Sequence, residues 1–394
     1  MTNVFDFDTP IDRMGSYCTQ WDYVQDRFGK AGLLPFTISD MDFASPPAVI
    51  SALQQRLDHP VLGYSRWNHN DFKSAIIGWY QRRFHTEMNP EQIVYGPSVI
   101  YIISKLIEQW SQQGEGVVFH SPGYDAFERM IEGLHRKSVP NRLIKSDHQF
   151  EIDWLSLEEQ LAKPSNTIFL LCSPHNPTGR VWRADELERI SMLCEKHQVA
   201  VISDEIHMDV CFKQHVPWQG FGLTKSWALV TSASKSFNIP ALTGAYGFIV
   251  DDQSRENYLF KLKQVDGLSS PAILGVIATM AAYQQGELWL DALNVYVKAN
   301  HEYVRDTLNS AFPQINYQVP QATYLAWVDL SSLEVDMEDL NRVLIDEMNV
   351  AIMQGTVYGE YGQGYVRLNL GCPRIKVEQG VQALIDAIRF LKQS

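Results

Sequence analysis

Short apolar runs alternate with amphipathic stretches through the middle of the chain. Four runs stand out, in "GVVFHSPGY", "TIFLLCSPHN", "VAVISDEIH" and "WALVTSASK". Each is apolar nearly throughout before it turns polar, as strands covered on both faces are. Between them, "ADELERISMLCEKHQ" places Leu187, Ile190 and Leu193 at helical spacing. Strands alternating with helices predict βαβ units and a mainly parallel sheet, hence an α/β fold. The stretch "GPSVIYIISKLIEQW" reads as an amphipathic helix opened by Gly96, Pro97 and Ser98. After about residue 288 the texture shifts to long helical stretches around "WLDALNVYVKANHEYVRDTLNSAF", then strands in "TYLAWVDL" and "GYVRLNL". The expected division is a larger α/β domain over 36–288 and a smaller α+β domain over 289–394, which residues 1–35 join.

Where the four strands end matters more than that they exist. Tyr124 follows the first, Asn176 the second, Asp204 ends the third, and Lys235 follows the fourth. Ligands of open α/β sheets bind outside the carboxyl ends of parallel strands, so these side chains are expected to share one site.

Composition narrows the class. The 394 residues are 45% hydrophobic and 20% charged, as in globular chains with a sizeable core. A formal net charge of −13 argues against a nucleic acid or an anionic membrane held by a general basic field, while leaving room for a local anion pocket. Cys18, Cys172, Cys194, Cys211 and Cys372 form no CxxC pair, which fits reduced thiols and a cytoplasmic location. The acidic start "MTNVFDFDTPIDRMG" lacks the apolar core of a signal peptide. "GLSSPAILGVIATMAAYQQG" is long enough to span a membrane, but its Ser, Thr, Gln and small residues predict a buried helix, with Ser270-Pro271 at its start.

A lysine at a strand end can be a solvated charge, an ion-pair partner or a Schiff-base nucleophile. Its neighbours here favour the last. Pyridoxal phosphate needs an acid opposite its ring nitrogen, a donor to its phenolic oxygen and an aromatic face, and Asp204, Asn176 and Tyr124 supply those types. The first-turn amides of Ser98, Val99 and Ile100, with the hydroxyls of Ser232 and Ser234, are candidates for the phosphate. Asp204, Glu205, His207 and Asp209 could instead suggest a metal, but strand alternation sends Asp204 and Glu205 to opposite faces.

"SASKSFN", "SPHNPTG" and "SDEIH" resemble the fold-type-I pyridoxal-phosphate enzymes of the class I/II aminotransferase superfamily. Together with "LPFTISDMDFASPP", "GYSRWN", "VYGPSVIY", "DGLSSP" and "VRLNLGCPR", they resemble the MalY/PatB-type cystathionine β-lyases over nearly the whole chain. The resemblance implies a large cofactor-binding domain with a mainly parallel mixed sheet between helices. It makes Lys235 the Schiff-base lysine, Asp204 the ring-nitrogen partner and Tyr124 the stacking ring, and these three are the catalytic set. Asn176 would meet the phenolic oxygen, and Ser98 to Ile100 with Ser232 and Ser234 would hold the phosphate. Arg367, which by alternation alone faces solvent, would grip the substrate carboxylate with Asn176 nearby. Tyr64 would reach a neighbouring subunit's phosphate, which implies a homodimer. Asp40, beside Asp42 in "TISDMDF", would shape substrate access. Trp21, Tyr23 and Trp67 would line that entrance or fill a core.

Two departures stand out. His207 occupies the place of a tyrosine that commonly donates to the phenolic oxygen, and it stays in the cofactor-binding set. No basic residue occurs from Ser236 to Val250, where many aminotransferases carry a phosphate-binding arginine. The resemblance implies β-elimination from cystathionine or other cysteine S-conjugates. Transamination is the alternative that the residues leave open, and relatives that bind a transcriptional activator add a regulatory protein partner as a further expectation.

Overall fold

The computed structural model describes residues 5–146, 149–221 and 226–393. In chain order the strands are β1 (Leu34–Phe36), β2 (Ile93–Gly96), β3 (Gly116–Ser121), β4 (Lys137–Lys145), β5 (Phe150–Ile152) and β6 (Asn166–Cys172). There follow β7 (Ala200–Asp204), β8 (Trp227–Thr231), β9 (Ala245–Ile249), β10 (Leu325–Asp329), β11 (Val350–Gln354) and β12 (Tyr365–Asn369). They form an eight-stranded sheet in the order β2-β9-β8-β7-β6-β3-β4-β5 and a four-stranded sheet in the order β1-β11-β12-β10. The fold is α/β, with a mixed, mostly parallel main sheet.

The four apolar runs are β3, β6, β7 and β8, adjacent and parallel to one another. Both faces are covered, which explains their unbroken apolarity. Val118, Phe169, Leu171, Val201 and Leu229 pack toward the helices Asn70–Phe84, Ala184–His197 and Ile273–Gln285. Val117, Ile168, Leu170, Ile202 and Ala228 pack toward Val99–Trp110 and Asp125–Gly133. Sequence patterning missed β9, which lies antiparallel between β2 and β8. Its Gly247 interrupts the apolar run, and a Cβ there would meet the Leu229 carbonyl at 2.9 Å. The uncharged stretch after Gly267 becomes the buried helix Ile273–Gln285, starting just beyond Ser270-Pro271. No helix among the described residues is long and apolar enough to cross a membrane.

The four-stranded sheet buries Val366, Leu368, Ala326, Val328 and Ile352 against the helices Glu287–Ala311, Met337–Asp346 and Arg374–Gln393. Its register pairs Arg367 with Trp327 and Met353 on the opposite face. That face is covered too. Arg367 is 3% exposed, so the solvent-facing reading from alternation fails: a two-residue period says which face a side chain takes, not what lies on it. β1 joins this sheet by pairing parallel with β11, and the chain then runs directly into residues 37–43 along the site.

Candidate active site

The sheet register brings the predicted groups together. Cys172 lies opposite Asp204, and Asp204 opposite Val230, so the ends of β6, β7 and β8 are level. Above them is a cavity of about 220 Å3. Tyr124, Asn176, Asp204, His207 and Lys235 line it, together with Ser98, Val99, Ile100, Ser232 and Ser234. Thr243 and Gly244, which patterning did not single out, complete that wall.

Lys235 sits on the short helix Ala233–Ser236. Ser232 fixes its entry, accepting at Oγ from the Ser234 amide (3.1 Å) and donating to the Gly244 carbonyl (2.6 Å). Asn238 fixes its exit. Its φ of 52° lies in the left-handed region that asparagine tolerates. Its amide side chain accepts from the Met41 N–H and donates to the carbonyls of Met41 and Phe43. The Lys235 amine donates to the Ser39 carbonyl at 2.7 Å. Burial pushes its pKa down to about 8, opposed by the nearby charge of Asp40.

Asp204 is 3% exposed, and its carboxylate accepts one hydrogen bond, from the Ile206 amide at 3.1 Å. Burial lifts it to about 7 against the pull of that amide. His207 is pushed down to about 3 by burial and then by the charges of Lys235 and Arg367, so its ring is neutral. Its Nδ1 is buried without a partner among the described residues. Arg367 donates from Nη1 to Asn176 Oδ1 (3.3 Å) and from Nη2 to the Thr37 carbonyl (2.6 Å), and stacks 4.7 Å over the Tyr358 ring. Because Oδ1 of Asn176 already accepts from Arg367, the amide nitrogen is the end left to donate.

At the end of the cavity bordered by Ser98, Val99 and Ile100, Gly96 pairs with Ala245, bringing the residues after β2 beside Gly244. A side chain at Gly96 would collide with Ile102 at 2.5 Å and the Tyr258 hydroxyl at 2.9 Å. Ser98 caps the following helix, its Oγ accepting from the Tyr101 amide at 3.1 Å. The first-turn amides of Val99 and Ile100, which no helical carbonyl can reach, border the cavity. Among the described lining residues Lys235 is the one cation, in keeping with the missing arginine after it.

Other expected residues lie elsewhere. Tyr64 is fully exposed. Asp40 does not line the cavity; its carboxylate pairs with Arg13 at 2.6 Å. Trp67 is in the core, whereas Trp21 donates to Asp42 and Tyr23 is exposed. Sequence reasoning missed the carbonyls of Thr37 and Ser39, the Tyr358 ring, and Tyr324, whose hydroxyl also donates to Ser39. Backbone acceptors leave no mark in residue type. Glu205 points away from the cavity: its Oε1 accepts from the Ser203 hydroxyl (2.9 Å) and the Trp218 amide (2.8 Å), and Oε2 meets His215 at 2.8 Å.

The aminotransferase class I and II family matches residues 31–384. Protein MalY of Escherichia coli is 56% identical, covering 99% of this chain and all of that one. Cystathionine β-lyase PatB of Bacillus subtilis is 34% identical, over 97% of this chain and 99% of that one. The crystal structure of cystalysin from Treponema denticola, which contains pyridoxal 5'-phosphate, superposes with a TM-score of 0.93 at 28% identity, covering 98% of this chain and all of that one. This chain belongs to the class I and II aminotransferases, in the branch that holds MalY and PatB.

Proposed function

We propose that the protein is a pyridoxal-phosphate-dependent carbon–sulfur β-lyase. It cleaves L-cystathionine or a related cysteine S-conjugate, adding water overall to give a thiol, pyruvate and ammonia. The observation that carries the cofactor reading is one cavity bordered by an amine, a buried carboxylate, an amide, an aromatic ring and a set of amides and hydroxyls. Those are the complements of an aldehyde, a ring nitrogen, a phenolic oxygen, a ring face and a phosphate. The unpartnered Nδ1 of His207 and Nε of Arg367 add buried donors or acceptors that the protein does not itself satisfy.

When bound, the cofactor supplies an aldehyde for amines and a protonated ring that accepts the electron pair released at the substrate's α-carbon. Lys235 Nζ would hold the cofactor until the substrate's amine displaces it, and the freed amine would then take the α-proton, a task suited to an amine whose pKa burial has lowered to about 8. Asp204 keeps the proton on the ring nitrogen, and Asn176 donates its amide N–H to the phenolic oxygen. Tyr124 stacks on the ring. Ser98, Val99, Ile100, Ser232 and Ser234 bind the phosphate. Arg367 holds the substrate carboxylate, its plane fixed by Tyr358, Thr37 and Asn176. These residues specify carbanion chemistry on an α-amino acid, and the similarity to MalY and PatB favours elimination over transamination.

The enzyme acts as a cytoplasmic homodimer in amino-acid metabolism. The exposed Leu57, Val61, Leu62 and Tyr64 support a second copy seated on this stretch, with Tyr64 reaching the partner's phosphate. Five free thiols support a reducing compartment. The test is purified holoenzyme with L-cystathionine, thiol and pyruvate followed together. Equal yields are expected. A new amino acid formed from an added keto acid, with no thiol released, overturns the reading.

A further inference from the structure

The stretch 37–42 is a row of backbone acceptors, of which Ser39 borders the cavity. Thr37 accepts from Arg367, Ser39 from both Lys235 and Tyr324, and the side-chain amide of Asn369 donates to the carbonyls of Ile38 and Asp40. This row is tied from outside by the amino-terminal segment. Arg13 places Nη2 at 2.6 Å from Asp40 Oδ2 and Nη1 at 2.8 Å from Asp42 Oδ1, and donates to the Met41 carbonyl at 3.2 Å. Asp42 is shared with Trp21 and with Lys376 of the carboxyl-terminal helix. Among the described residues Arg13 is the one ion-pair partner of Asp40, whose Oδ1 is buried and unpartnered.

We propose that Arg13 is a positioning residue for Lys235, acting through Asp40: it holds the acceptor row in place and offsets the carboxylate's charge, making the amino-terminal segment part of the cofactor site. The inference rests on the reading of Lys235 as the cofactor-binding lysine.

Among the described residues the charged groups around Lys235 are few. Asp40 on the acceptor row and Asp204 at the end of β7 favour its protonated form, Arg367 on β12 disfavours it, and His207 beyond β7 is neutral. Tyr324 meets the same Ser39 carbonyl as an uncharged hydroxyl. Removing the guanidinium exposes Lys235 to more of Asp40's charge, so a protonated nitrogen there persists to higher pH. Removing the Asp40 charge acts in the opposite sense; Arg13 then keeps its bonds to Asp42 and the Met41 carbonyl but has no carboxylate beside Lys235 left to offset.

The experiment is a pH titration of the visible cofactor band in purified holoenzyme of wild type, Arg13→Gln, Asp40→Asn and the double variant. The midpoint is expected to rise by roughly half a unit in Arg13→Gln, a partly exposed charge acting in a medium of intermediate dielectric. It should fall in Asp40→Asn, and the double variant should match Asp40→Asn. Arg13→Lys, which keeps the charge, should stay nearer wild type than Arg13→Gln. An unmoved midpoint in Arg13→Gln, or the same shift in the Asp40→Asn background, overturns the proposal. Should Arg13→Gln not fold, an unmoved midpoint in Asp40→Asn overturns it equally. Absence of any cofactor band in wild type instead defeats the reading of Lys235 itself.

Discussion

Asp204 and Glu205 are consecutive, both carboxylates and both buried, yet they face different regions. Glu205 turns toward His215, Ser203 and Trp218, and its two oxygens accept three hydrogen bonds. Asp204 turns toward the cavity with a single backbone donor, and its pKa climbs to about 7. A saturated buried carboxylate holds loops together, whereas an unsaturated one costs stability unless a ligand completes it. The end of β7 at Asp204 sends the two neighbours to opposite sides and gives each its own task.

The strongest way to break this contrast lies on the cavity side. Lys235→Ala is expected to lower kcat about 10^4-fold, the upper range for a positioned general base, with the fold retained. Steady-state assay with circular dichroism checks both parts, and residual turnover within tenfold of wild type would remove Lys235 from the chemistry. Next, Asp204→Asn should lower kcat by about 10^2–10^3-fold, the scale of a lost electrostatic partner.

The same variant should stabilise the protein stripped of cofactor, and the sign follows from the shift. The folded carboxyl titrates at about 7 and its ordinary value is 3.8, so between these values the folded state binds a proton that the unfolded chain does not. Stability from this group therefore falls as pH rises through that window, and the buried charge opposes folding fully above it. The gain in Asp204→Asn, read by urea denaturation, should be largest at pH 8 and shrink toward pH 4. A gain that does not depend on pH would mean that the carboxylate is not strained.

The smallest effect on rate is expected at Glu205. Glu205→Ala leaves His215 and the Trp218 amide without their partner, at a cost of about 3 kcal/mol in unfolding free energy. The kcat of the folded fraction should change far less than in Asp204→Asn. Equal losses of kcat in the two variants would erase the contrast.

Much of this site was legible in the sequence because parallel strands buried on both faces must be apolar until they end. The four runs therefore announced β3, β6, β7 and β8, and their polar ends announced Tyr124, Asn176, Asp204 and Lys235. β4 was not legible: "KSVPNRLIK" carries polar residues and Pro140 among half-covered positions. Arg367 was misplaced by pattern because its cover comes from a distant part of the chain. The acceptor row was invisible for a different reason, since Thr37 and Ser39 act through carbonyls that any residue possesses. Asp40 read as a residue of the substrate entrance, and its pairing with Arg13 depends on a segment with no periodicity of its own.

The parallel pairing of β1 with β11 sets Leu34 against Val350, more than three hundred residues later. During synthesis β1 emerges early and must wait for its partner while the whole eight-stranded sheet is made. The acceptor row that follows β1 gains Arg367 and Asn369 later still. The lysine, the aspartate and their sheet can thus be in place while the proposed grip on the substrate carboxylate is still unfinished. Ribosome-bound fragments ending before β12 would carry Lys235, Asp204 and Asn176, the groups proposed for the cofactor, without Arg367, the residue proposed for the substrate carboxylate.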